Sequence, residues 1–235
     1  MKSLATYITE KMIYTKSNTN NIKYNYHPEA KEELKDIIDK LVDEQSMEDV
    51  IDLNSIDTSE ITDMSGLFHN FEGILKIDVS KWDVSNVENM DSIFKGCINL
   101  EKITGIENWD VSNVENMEDM FYKCELFNQD LSNWNMSKVT NISGMFYRCY
   151  NFNKPLNNWD VSNVIDMVSA FCECKKFNQP LNDWNVSNAT DMSSMFFNCK
   201  SFNQDISKWN VSNVTEHDII FENCPIEEKY KPKFK

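Results

Sequence analysis

FNQPLNDWNVSNATDMSSMFFNCKSFNQDISKWNVSNV, residues 177–214, states one pattern twice. Each statement reads FNQ, then W.VSN, and the first is completed by MF..C before the second begins. Working outward, tryptophan recurs at Trp82, Trp109, Trp134, Trp159, Trp184 and Trp209, a step of 27 residues followed by steps of 25. Cysteine keeps the same step at Cys97, Cys124, Cys149, Cys174, Cys199 and Cys224. Phenylalanine does so at Phe94, Phe121, Phe146, Phe171, Phe196 and Phe221. Three residue types in one register identify an internal repeat. A weaker unit precedes them in SIDTSEITDMSGLF, where Ile56 stands in the Trp place and Met64, Leu67 and Phe68 in the Met and Phe places. About seven coils result, with atypical first and last members, as the exposed ends of a repeat array require.

One unit, LSNWNVSNATDMSSMFFNCKSF, divides into two halves. Leu181, Trp184 and Val186 match the L-x-x-L-x-L framework, and Trp and Val two apart share one face of an extended strand. In the adjoining half, Val114, Met117, Met120 and Phe121 are three or four apart, the spacing of a short helix. Ser112 with Glu115, and Ser85 with Glu88, have the S-x-x-E form of a helix-capping box. The expected architecture is therefore α/β: a leucine-rich-repeat-like, right-handed solenoid with short parallel strands on one face and short helices on the other. Right-handedness follows from parallel strands joined by crossovers. Helices need more lateral room than strands, so the strand face is expected to be concave.

The ends divide the chain into three parts. Residues 1–21 read as a short helix, with Leu4, Ile8 and Met12 aligned, followed by a polar linker. Residues 22–50 read as a helical cap: Pro28 occupies a first-turn position, and Leu34, Ile37, Ile38, Leu41 and Val42 form one apolar stripe. Residues 51–235 hold the repeats and a C-terminal cap, where Pro225 stops the pattern and IEEKYKPKFK closes it.

The formal net charge is −15, which opposes binding to nucleic-acid phosphates or to an anionic membrane surface. Arg148 is the single arginine, so bidentate recognition of phosphate or carboxylate has little to work with. Glu10 and Lys11 interrupt the first apolar run, no lipobox-like Cys stands near the start, and no run is long enough to span a bilayer. The expected compartment is cytoplasmic, without membrane insertion.

The cysteines recur once per coil, with Cys172 as an extra, so they form an axial line rather than a converging metal set. A buried file of free thiols is expected, and the Met and Phe files are expected to be core. No metal or cofactor is expected. The residues after each Trp are Asp83, Asp110, Asn135, Asp160, Asn185 and Asn210. Before it stand Lys81, Asn108, Asn133, Asn158, Asp183 and Lys208. Beside an inward Trp both columns face outward, onto the concave surface. Asp83, Asp110, Asn135, Asp160, Asn185, Asn210, Asn108, Asn133 and Asn158 are the candidate binding residues for a protein partner. The free exchange of Asp for Asn also fits an Asx turn, for which either residue supplies the oxygen. His27, His69 and His217 are scattered, and no phosphate-binding or nucleophile-elbow motif occurs, so no enzymatic activity is expected.

The L..W.VS.V..M..MF..C..FN text resembles the BspA-like leucine-rich-repeat proteins in their tryptophan-containing variant, over residues 22–235. The resemblance implies a repeat fold and a role in binding, since members of that family include surface proteins implicated in adhesion. The function expected is a non-catalytic protein-interaction scaffold. The alternative is a structural or virus-associated assembly component docked through its N-terminal segment, MKSLATYITEKM.

Overall fold

The computed structural model describes residues 23–235, so the helix and linker read over residues 1–21 lie outside the described residues. Tyr26 forms a parallel bridge with Ile56. The chain then turns into α1, Lys31–Glu44. Leu34, Ile37, Ile38 and Leu41 are buried, while Val42 is only partly so. Each full burial contributes roughly 1.5–3 kcal/mol. Glu32 and Glu33 sit in the first turn, where the helix dipole favours negative charge. Pro28 is not at the first helical position: the N-cap is Ala30, and Glu33 reaches back to accept the Glu29 N–H.

Three short strands follow, β1 (Ile51–Asp52), β2 (Lys76–Asp78) and β3 (Lys102–Thr104), paired in parallel in that order. Their register sets Ile51 beside Ile77 and Ile77 beside Ile103. Beyond them, single parallel bridges join Asp63, Asn89, Asn116, Asn141, Asp166, Asp191 and Glu216 in sequence. Successive repeat units therefore lie side by side in one register.

Within a unit, both sequence-based assignments need correction. The L..W segment is a tight turn: the Trp134 N–H donates to the Leu131 carbonyl, and Trp159, Trp184 and Trp209 repeat this. The Met–Met–Phe segment is not a helix, and α1 is the only α-helix among the described residues. Its alternate N–H groups point into the next unit instead. Met90, Ser92, Phe94 and Gly96 donate to the carbonyls of Asn116, Glu118, Met120 and Tyr122 at 2.8–3.0 Å. The residues between them close tight turns on their own chain, as when the Lys95 N–H donates to Ser92 and that of Cys97 to Phe94. Two residues per unit take positive φ, for example Asp119 (51°) and Lys123 (61°), a conformation no right-handed helix contains. A string of such turns returns apolar side chains inward every three or four residues, as a helix does, so the spacing could not separate the two.

The capping boxes fail for the same reason. The Glu88 N–H goes to the Thr62 carbonyl and that of Glu115 to Glu88, while the Ser85 hydroxyl donates to Asp83. The expected splay and concave face rested on helix width, and that basis falls with the helices.

The interior is filled by files of rings. Phe68, Phe94, Phe121, Phe146, Phe171, Phe196 and Phe221 stack at 5.2–6.0 Å between centroids. A second file runs through Phe127, Phe152, Phe177 and Phe202. Indoles stack from Trp134 to Trp209 at 6.2–6.4 Å, and Trp82 stacks on Trp109. Each indole N–H of Trp134, Trp159, Trp184 and Trp209 donates to the carbonyl at the Leu place of the preceding unit. Trp109 breaks this rule; its buried indole N–H has no partner among the described residues. A 3₁₀ turn, Ile106–Asn108, leads into it after Gly105. Gly105 has φ 96°, and a Cβ there would meet the Ser80 backbone at 2.4 Å.

The thiols form the expected file. Cys97, Cys124, Cys149, Cys174 and Cys199 are buried and donate to phenylalanine carbonyls one unit back at 2.8–3.0 Å. Burial pushes the Cys97 thiol up to about 12, and those of Cys124, Cys149, Cys174 and Cys199 well up as well. They are protonated donors that satisfy backbone oxygens, not nucleophiles.

Candidate functional site

The stacked units bring the sequence-selected residues onto one exposed face. Asp83, Asp110, Asn135, Asp160, Asn185 and Asn210 are all exposed, one per unit. The Oδ1 of each accepts the N–H of the serine two residues on, Ser85 through Ser212, at 3.0–3.2 Å. These are Asx turns, so one arm of every side chain holds the corner and the other faces solvent. The Ser112 hydroxyl and N–H hold the Asp110 carboxyl below its ordinary range. Asn108, Asn133 and Asn158 are exposed too, and their side chains make no hydrogen bond among the described residues.

Beside these columns runs an asparagine ladder. Asn163, Asn188 and Asn213 donate through Nδ2 to the carbonyls of Ser137, Ser162 and Ser187 one unit back. At this position one unit carries Lys138, whose Nζ donates back to Asn113 Oδ1. A shallow groove of 550 Å³ lies here, lined by Glu115, Lys138, Thr140, Ile165 and Thr190 among others. Ile165, 48% exposed, is its apolar centre. Asparagines thus serve as corner and as rung in successive units.

Sequence reasoning missed a second feature. Where α1 meets the first unit, a cavity of 920 Å³ is lined by Asp39, Asp43, Met47, Glu48, Glu72 and Leu75 among others. Met47 is 95% exposed and Leu75 49%. The repeat pattern held no signal for it, because it forms between a non-repeating helix end and the atypical first unit. Only the unmatched apolar Met47 after α1 hinted at it.

His27 stands away from the exposed columns, with Nδ1 3.2 Å from Asp57 Oδ2 and its buried Nε2 unpartnered. Among the described residues, no three His, Cys, Asp or Glu side chains gather as a metal site would require. No helix among them is long and apolar enough to cross a membrane.

No curated protein and no solved structure matches the chain. A family model described as "Mycoplasma protein of unknown function, DUF285" matches it twice, over residues 36–148 and 128–232. The two matches overlap and between them take in the larger part of α1, β1–β3 and every tryptophan-bearing unit. The chain belongs to this DUF285 family of Mycoplasma proteins of unknown function.

Proposed function

We propose that the chain is a non-catalytic scaffold that binds another protein through the Asx-bearing face. In this reading it is a right-handed solenoid of about seven coils, a member of the wider BspA-like repeat group. The observation that carries the reading is the exposed face itself. Nine Asp and Asn side chains lie in two files beside the groove centred on Ile165, and six of the nine are anchored at one oxygen. Side chains already held in place lose little rotamer entropy on binding, so their free amides and carboxylates are available at low ordering cost. An exposed isoleucine among them supplies the apolar contact around which a polar rim works.

The test is proximity labelling in the native host with the full chain. It compares the wild type with a variant carrying Asp83→Asn, Asp110→Asn, Asp160→Asn and Ile165→Ser. Asparagine keeps the Asx oxygen, so the corners and the melting temperature are expected to hold. Labelling of the principal partner is expected to fall by about tenfold, as loss of a central contact does. An unchanged labelled set with normal melting sinks the reading. The competing role, an assembly part docked through its N-terminal segment, expects that loss from deletion of residues 1–20 instead.

A further inference from the structure

The unit-to-unit ladder has a direction. In each of six successive steps, four alternate N–H groups donate toward the C-terminal side, from Met64, Gly66, Phe68 and Asn70 in the first unit to Met192, Ser194, Phe196 and Asn198 in the sixth. The last unit therefore ends with the N–H groups of His217, Ile219, Phe221 and Asn223 facing outward, and none has a hydrogen-bond partner among the described residues. The tail closes the apolar side of this unit: Phe234 stacks on His217 at 4.3 Å, and Ile226 is buried. It gives these four amides no acceptor.

Ile219 marks the same edge. It takes φ 50° and is 51% exposed. The place is filled by Gly66, Ser92, Asp119, Gly144, Ser169 and Ser194 in the other units. A β-branched residue in the left-handed region is strained, and exposing it adds an apolar contact to solvent. Neither choice helps the isolated fold.

We propose that the His217–Asn223 edge docks an extended segment of another protein, whose backbone carbonyls continue the ladder and whose side chains pack on Ile219. Four donors in a row call for a row of acceptors, the mode by which sheet edges recruit strands. Glu216, Asp218 and Glu222 flank the row and are exposed. They outnumber Lys231, whose Nζ lies 5.7 Å from the Phe221 ring centroid and pairs with Glu228, so they oppose an anionic ligand and favour a neutral or basic segment. A second copy is the weaker candidate. Edge to edge, donors would face donors. Head to tail, the matching carbonyls of the first unit lie by α1, where Lys31 Nζ donates to Ser65 Oγ at 2.8 Å and pairs with Asp63 at 3.3 Å. This surface is separate from the Asx-bearing face, and either can fail alone.

The experiment pans a phage-displayed random-peptide library on the full chain and follows backbone hydrogen exchange. Selected peptides should be neutral or basic and should slow exchange at His217, Ile219, Phe221 and Asn223. Ile219→Asn keeps a residue tolerant of positive φ, so the melting temperature is expected not to fall, while affinity drops at least about tenfold. No peptide protecting these amides, or affinity unchanged in Ile219→Asn, overturns the proposal. Equal protection by sulfate makes the edge an anion site and overturns it too. So does protection that rises with chain concentration alone, which assigns the edge to a second copy.

Discussion

At one end of the array, α1 lays Leu34, Ile37, Ile38 and Leu41 over the first unit, and Lys31 reaches the polar rim through Ser65 and Asp63. At the other, a tail without regular structure beyond one 3₁₀ turn covers the core with Ile226 and Phe234 and leaves four amides of the last unit without a partner among the described residues. A repeat end has two separate needs: apolar side chains must leave water, and backbone groups must find partners. The N-terminal end meets the first and part of the second. The C-terminal end also meets part of the second, since the Tyr230 carbonyl accepts the Ile206 N–H and Lys235 Nζ reaches the Ser212 carbonyl, but the tail supplies no carbonyl to the four amides of the last unit.

The sharpest way to break this comparison is at Ile38, which is fully buried. Ile38→Asp puts an unpaired carboxylate under the helix and is expected to cost more than about 4 kcal/mol, enough to unfold the first units in a urea titration. Phe234→Ala, at the half-covered end, is expected to cost about 1 kcal/mol. Similar losses would mean that the two ends are closed alike.

Thiol reactivity reads the same difference locally. Cys224 is half-buried, whereas Cys97 is buried and its thiol is held up at about 12. At mildly alkaline pH, one thiol is expected to react with an aromatic disulfide reagent on the order of a hundredfold faster than those inside, and peptide mapping should place it at Cys224. Uniform reactivity would show that the interior opens as readily as the end.

Next in size is an exchange of backbone preference between the ends. Gly66→Ile imposes on the first unit what Ile219 imposes on the last, at φ 67°. It is expected to cost about 1–2 kcal/mol in chemical denaturation. Ile219→Gly should recover part of that strain, less the entropy glycine loses on folding.

The smallest effect is on acid stability. Burial pushes the Asp57 carboxyl up, but the Ser59 hydroxyl, the Ser59 N–H and His27 together outweigh it and hold it below its ordinary value. A depressed carboxyl contributes stability that is present above the unfolded value, about 4, and lost as pH falls through the folded one. Asp57→Asn should flatten the loss of stability below about pH 4 in thermal melts. An identical acid profile would remove this contact from the account of the N-terminal end.

Much was legible in the sequence because side-chain chemistry repeats with the chain. Trp, Phe and Cys in one register implied axial files, and the rings and thiols stand in such files. The Asp and Asn columns were legible as exposed turn residues for the same reason. The helices were misread because inward spacing is common to a helix and to a run of left-handed-punctuated turns. Ser92, Lys123, Arg148 and Glu173 take positive φ although their residue types do not announce it. The cavity beside α1 was not legible, since it forms between a non-repeating helix end and the atypical first unit.

The sequence alone determined the repeat length, the residues that face inward and the corners that need an Asx oxygen, because each depends on side-chain type at a fixed step. Only the tertiary structure decided where the backbone hydrogen bonds go. An N–H carries no mark in the sequence of whether it closes a helical turn or reaches the neighbouring unit. Placing the units side by side settled that choice, and with it the direction of the ladder and the end at which its donors remain open.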